Sequence, residues 1–228
     1  MIDHPEWSKQ GDLHVWCAEF ELLLHGDMCR AEEFLNNASK LGCLDMSAYH
    51  SIRGAVLCER GQRQAGIEEL RKSISLEPSD SNVASLMRED TSECASVCEE
   101  ILRENASHCM AHVCLAYAAA QAGDKAKAMS LARRARQLAH SAIEFFGVGC
   151  LLHALEESHD AVEACLEAER LGYEAKGIVY AAVAACYSDM QDDAAAKQYL
   201  SRAMQHNAED EYVREIRDVW EGGAAREC

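Results

Sequence analysis

The chain has 228 residues with 39 acidic against 22 basic, a formal net charge of −17, so its field repels nucleic acid and anionic membrane surfaces and favours basic or apolar partners. Two prolines and four phenylalanines in an alanine-rich sequence fit a helical stack rather than a sheet protein. No stretch approaches the ~20 apolar residues of a membrane helix, and MIDHPEWSKQ lacks the basic-then-apolar layout of a signal peptide, so a soluble cytoplasmic protein without membrane insertion is expected.

In chain order, residues 1–11 read as a short polar lead, with Gly11-Asp12 a helix entrance. A first unit at 12–45 carries helix LHVWCAEFELLL, a turn at His25-Gly26-Asp27, and helix AEEFLNNASKL closed by Gly42. Its first helix is apolar nearly all round, so Trp16, Phe20, Leu23 and Leu24 require more cover than one neighbour gives. The second unit, 47–80, holds the clearest pattern: Gly54 permits close approach of a second helix, Gly61 supplies a left-handed turn, and Gly66, Leu70 and Ser73 form a buried stripe before Pro78. Residues 81–108 make a degenerate third unit, shorter than the rest, with SNVASLMRED as its stunted first helix. The fourth, fifth and sixth units run over 109–142, 142–175 and 177–210, and EDEYVREIRDVWEGG forms a terminal helix over about 211–221 whose Tyr212, Ile216 and Trp220 share a face.

The offsets of the second unit recur. The twelve-residue step from Gly54 to Gly66 also joins Ala116 to Ala128, Gly149 to Ala161 and Ala184 to Ala196. The later small residue is followed four and seven positions on by the same stripe, as in Ala31, Leu35, Ala38 and Ala128, Ala132, Ala135. A period of this size means stacked hairpins, each burying a face against its neighbours. On these residues the chain, over about 12–210, resembles the tetratricopeptide-repeat family, whose unit is about 34 residues. It departs from the family pattern at Glu19, where a small residue belongs, and where His50, His112 or Ala119 replace aromatic positions. The resemblance implies a single domain over 1–228, an all-α, right-handed superhelical solenoid of tandem helical hairpins with a C-terminal capping helix.

It also implies an inner wall lined by the first helix of each unit, where short peptides or partner helices bind. By register that wall carries Trp16, Phe20 and Leu24, then Met110, Val113 and Tyr117, then Phe146, Cys150 and His153. An apolar, aromatic wall suits an adaptor or chaperone that grips a protein segment through apolar anchors. The same spacing also serves a core between repeats, and the two readings stay open at this point.

Lys125, Lys127, Arg133, Arg134 and Arg136 make 109–143 locally basic, with Asp124 its only acid. Such a patch docks an acidic partner or another copy of the chain, giving a self-assembling scaffold, or is a solvated helix face. No aromatic platform is interleaved with it, so nucleic acid is not expected. The twelve cysteines sit singly at alanine-like positions and read as reduced packing residues. Cys94 and Cys98, with His108 and His112, are the one set spaced for a metal, and they leave open a metal- or redox-responsive switch; without a C-x-x-C knuckle no metal site and no cofactor is assigned. No nucleotide, hydrolase or zinc-protease motif occurs, and Gly147-Val148-Gly149 signals packing, so no catalytic residue is assigned and a non-enzyme is expected.

Overall fold

The computed structural model describes residues 5–22 and 26–224, with side chains over 10–22 and 26–220. Apart from a π turn at 21–22, every regular element among them is an α-helix. The helices group into two compact units, Met1–Glu104 and Asn105–Cys228. The division follows the abbreviated third hairpin, whose first helix is ten residues long.

In the first unit, α1 (Pro5–Phe20) pairs with α2 (Met28–Leu41), α3 (Met46–Glu59) with α4 (Arg63–Leu76), and α5 (Asp80–Glu89) with α6 (Thr91–Glu104). The expected polar lead is instead the opening of α1, which starts at a proline, a residue suited to the first helical turn. Gly11 is therefore not an entrance. It lies inside α1 against the carbonyl of Gly42, where any side chain would collide with backbone. Asp12 fixes that crossing, its Oδ1 accepting from the N–H groups of Leu44 (2.8 Å) and Asp45 (3.2 Å).

The α3/α4 pair meets as its glycines require: a Cβ on Gly54 would lie 2.7 Å from Leu70 Cγ, and one on Gly66 would lie 2.8 Å from the Gly54 carbonyl. Leu70 is buried in this contact, a burial contributing about 1.5–3 kcal/mol. A buried polar cluster ties the next helix on. Ser73 Oγ donates to the Ser47 carbonyl (2.9 Å), and Asn82 Nδ2 donates to Ser47 Oγ (3.0 Å) and to the Glu77 carbonyl (2.8 Å).

The second unit contains α7 (Cys109–Gln121) and α8 (Lys125–Leu138), α9 (Ala142–Ala154) and α10 (Ser158–Arg170), α11 (Lys176–Asp189) and α12 (Asp193–Asn207), then α13 (Glu211–Ala224). Their starts are chemically marked. Asp124 and Asp192 accept backbone N–H groups at the heads of α8 and α12, and Ser141 with Glu144 forms a complete capping box on α9. In the four hairpins that keep the twelve-residue step, the turn falls seven residues after the small residue of the first helix. Gly61 and Gly123 take positive φ there (76° and 80°), and Glu156 and Gln191 are held at the corresponding places with φ of 66° and 59°. The last helix, α13, rests on α11 and α12, with Val213 buried beside Tyr180, Ala181 and Ala203.

Candidate partner-binding site

Within the second unit, α7, α9 and α11 are consecutive first helices of hairpins, and α9 packs on α7. Met110 and Val113 of α7 fill that contact and are 2% and 0% exposed. The cause is Gly147 on α9, whose missing side chain leaves its place to Met110; a Cβ there would lie 2.8 Å from the Met110 sulfur and 4.0 Å from Val113 Cγ1. These two residues, expected on the groove wall, are core.

The remaining residues expected on this wall converge. Tyr117, Phe146, Cys150 and His153 line one cavity of about 360 Å³, together with Gly149, Cys165, Ile178, Ala182, Cys186 and Tyr212. On α9 the contributors fall at 146, 149, 150 and 153, and on α11 at 178, 182 and 186, one helical face each. Phe146 is steadied by stacking on Tyr173, ring centroids 4.6 Å apart.

The cavity is apolar in its electrostatics as well as its lining. Burial pushes the Cys150 thiol up to about 12, and burial with the Asp189 carboxylate nearby pushes Cys186 to about 12. Desolvation likewise raises the hydroxyls of Tyr117 and Tyr212 above the usual phenol range. Neutral thiols and phenols therefore line the cavity, which is ill suited to a charged ligand and inert as a source of nucleophiles. Among the lining residues, His153 carries an imidazole whose Nε2 meets Asp189 Oδ2 at 2.8 Å.

Gly149, Cys165, Ile178, Ala182, Cys186 and Tyr212 were not placed on the wall from the sequence, Gly149 and Cys165 having been read as packing positions of the repeat. The α11 residues lie at other offsets from the repeat's small residue than those of α9, because the two helices turn different faces to the cavity. Tyr212 had one available signal, its shared face with Ile216 and Trp220.

Of the other expected wall residues, Trp16 and Phe20 belong to the first unit, where α1 turns them outward at 66% and 56% exposure. Leu24 lies outside the described residues, as does Leu23. The basic residues are placed on α8: Lys125 Nζ meets Glu156 Oε2 at 3.0 Å, and Arg136 meets Asp160 (2.9 Å) and Glu163 (2.7 Å) on α10. Lys127, Arg133 and Arg134 are exposed. Cys94 and Cys98 are buried on α6 with their Sγ atoms 3.7 Å apart. His108 Nδ1 accepts from the Ala111 N–H at the head of α7, and His112 Nε2 lies 3.0 Å from the Ala106 carbonyl.

No protein-family profile and no curated protein matches the sequence. Solved structures do match it in fold. Yeast Tom70 superposes at a TM-score of 0.62 and 14% identity, over 96% of this chain and 47% of that one. A thermophilic tetratricopeptide-repeat protein of Thermus thermophilus matches at 0.58 and 15% identity, over 78% of this chain and 99% of its own. The chain has the tetratricopeptide-repeat fold. The Cut9–Hcn1 hetero-tetramer offers a further match at 0.58 and 12% identity, covering 94% of this chain and 43% of the matched one. The present chain thus spans under half the length of the Tom70 and Cut9–Hcn1 chains it matches. Among the described residues no helix is long and apolar enough to cross a membrane.

Proposed function

We propose that this tetratricopeptide-repeat protein is a non-catalytic protein-binding module, an adaptor or chaperone that takes an apolar peptide segment into the cavity of its second unit. The observation that carries this reading is the convergence of Tyr117, Phe146, Cys150 and His153 on one apolar cavity of about 360 Å³, inside the size range of specific ligand sites. Aromatic side chains around such a cavity are the usual source of interface energy. That Cut9 occurs in a hetero-tetramer with Hcn1 shows the fold in a partner-binding role elsewhere, and Tom70 shares the fold.

The test is selection from a displayed peptide library on the full-length protein, repeated with Phe146→Glu. Peptides with aromatic or aliphatic anchors at helical spacing should be enriched and then lost with the variant, whose helical content by circular dichroism should match the parent. Enrichment of the same peptides by Phe146→Glu would end the proposal.

A second reading, self-assembly through the basic fourth hairpin, is favoured by one observation. Acids on α10 already pair with Arg136, so an α8-to-α10 charge match exists in this fold, and Lys127, Arg133 and Arg134 remain exposed for another such face. It requires a mass by light scattering that rises at low salt and falls with Arg133→Glu, Arg134→Glu; a constant monomer mass would remove it.

A further inference from the structure

We infer that α13 is a displaceable internal occupant of this cavity, a helix that a partner helix must lift before it can seat; the inference rests on the binding reading above. Tyr212, in the first turn of α13, reaches the same cavity as Tyr117, Phe146 and the thiols of Cys150, Cys165 and Cys186. The groove wall therefore already holds an aromatic anchor supplied by its own chain.

That anchor belongs to a helix with a partner-like pattern. Tyr212, Ile216 and Trp220 recur at four-residue steps along one face, the spacing by which an amphipathic helix lays anchors into a groove. Ile216 and Trp220 line a second cavity of about 220 Å³ against Ala184, Ser188 and Leu200 of α11 and α12.

The seat is incomplete. The apolar face of α13 borders two clefts that open to solvent, and Tyr212, Ile216 and Trp220 are only half-buried against them, so these side chains forgo contacts that a permanent core helix makes. Among its described residues only Val213 is buried, against eight in α11. Val219 on the same helix is 73% exposed. Sparse burial of this kind places an element at the low end of local stability.

The connection also suits movement. Only residues 208–210 separate α12 from α13, and the cap of α13 is local: Asp210 Oδ1 accepts from the N–H groups of Tyr212 (3.0 Å) and Val213 (3.2 Å). The helix keeps its cap when it swings away, so opening costs apolar contact and not helix structure. A partner able to displace it carries a helix with an aromatic anchor followed by apolar residues four and eight positions on.

The test uses the full-length protein in three measurements. First, hydrogen exchange of the unmodified protein should show α13 amides exchanging at least about tenfold faster than those of α11, as for an open state populated at a few per cent or less. Second, Tyr212→Glu, which sets a charge in the apolar cavity, should speed N-ethylmaleimide labelling of Cys150 and Cys186 by about tenfold. Third, the synthetic peptide EDEYVREIRDVWEG should bind Tyr212→Glu at least about tenfold more tightly than the parent, since the competing helix no longer lowers the competent fraction. Exchange of α13 in step with α11 overturns the inference, whether or not the variant folds, and leaves the binding reading intact if library peptides still depend on Phe146. An opened variant with labelled thiols that binds neither this peptide nor any library peptide overturns both.

Discussion

Gly149 joins the repeat pattern to the candidate site, and replacing it with alanine tests how tightly the α9/α10 hairpin is closed. At the corresponding positions Ala116 and Ala184 are buried without difficulty. At Gly149 the added Cβ would stand 2.5 Å from Cys165 Sγ, 3.2 Å from the Cys165 backbone nitrogen and 3.3 Å from the Ala161 carbonyl. Alanine in place of glycine inside a helix gains about 1 kcal/mol in propensity. Overpacking a closed core costs about 1–3 kcal/mol: the sulfur, which also borders the cavity, must move by roughly an ångström to reach ordinary contact, and the backbone atoms of Cys165 and Ala161 cannot yield as a side chain does. Overpacking wins, and Gly149→Ala should lose about 1 kcal/mol, a drop of about 0.5 M in the urea midpoint. The stronger test is a double-mutant cycle. Cys165→Ala removes the colliding atom, so Gly149→Ala made in that background should be stabilising, with a coupling of about 1–3 kcal/mol. A stabilised single variant whose effect simply adds to that of Cys165→Ala would refute the close-contact argument.

Three further expectations follow from the same geometry. The Cys150 and Cys186 thiols titrate at about 12 in the fold and near about 8.5 in an unfolded chain, so the folded state holds protons that the unfolded state releases. Their stabilisation is complete below about pH 8.5 and is lost as pH rises toward 12; urea midpoints should fall above pH 9, less steeply in Cys150→Ala, and identical slopes would count against it. Asn82→Ala removes two buried hydrogen bonds, to Ser47 and Glu77, and should cost about 1–3 kcal/mol, read as earlier unfolding of the first unit; an unchanged midpoint would contradict it. Glu156→Gly and Gln191→Gly relieve left-handed non-glycine residues and should each stabilise by about 0.5–1 kcal/mol, seen as a higher melting temperature; a fall would show that these side chains contribute more than their strain costs.

The hairpins were legible because small residues at fixed steps have one physical use, bringing two helices together. The left-handed turns follow from the same register even where no glycine announces them, as at Glu156 and Gln191. The start of α1 was hidden because Gly11 and Pro5, punctuation in most contexts, serve here as a close contact and a first-turn residue. The candidate site was half legible. Register placed Tyr117, Phe146, Cys150 and His153 on one wall, but it could not separate them from Met110 and Val113, whose burial depends on the missing side chain of Gly147 on another helix. Nor does period say which face α11 turns to the cavity, or that Tyr212 returns to it from beyond the last repeat.

The cysteines scattered through the small positions of the repeats have a practical consequence. Buried thiols occur in α6, α7, α10 and α11, with Cys58 and Cys150 partly covered in α3 and α9. A solenoid frays and unzips hairpin by hairpin, and the buried thiols of α6 and α7 become reactive only when their own hairpin parts, whereas Cys150, Cys165 and Cys186 also answer to the lifting of α13. Timed alkylation followed by mass mapping would therefore read out the order of unzipping along the chain, with no probe added and no residue changed.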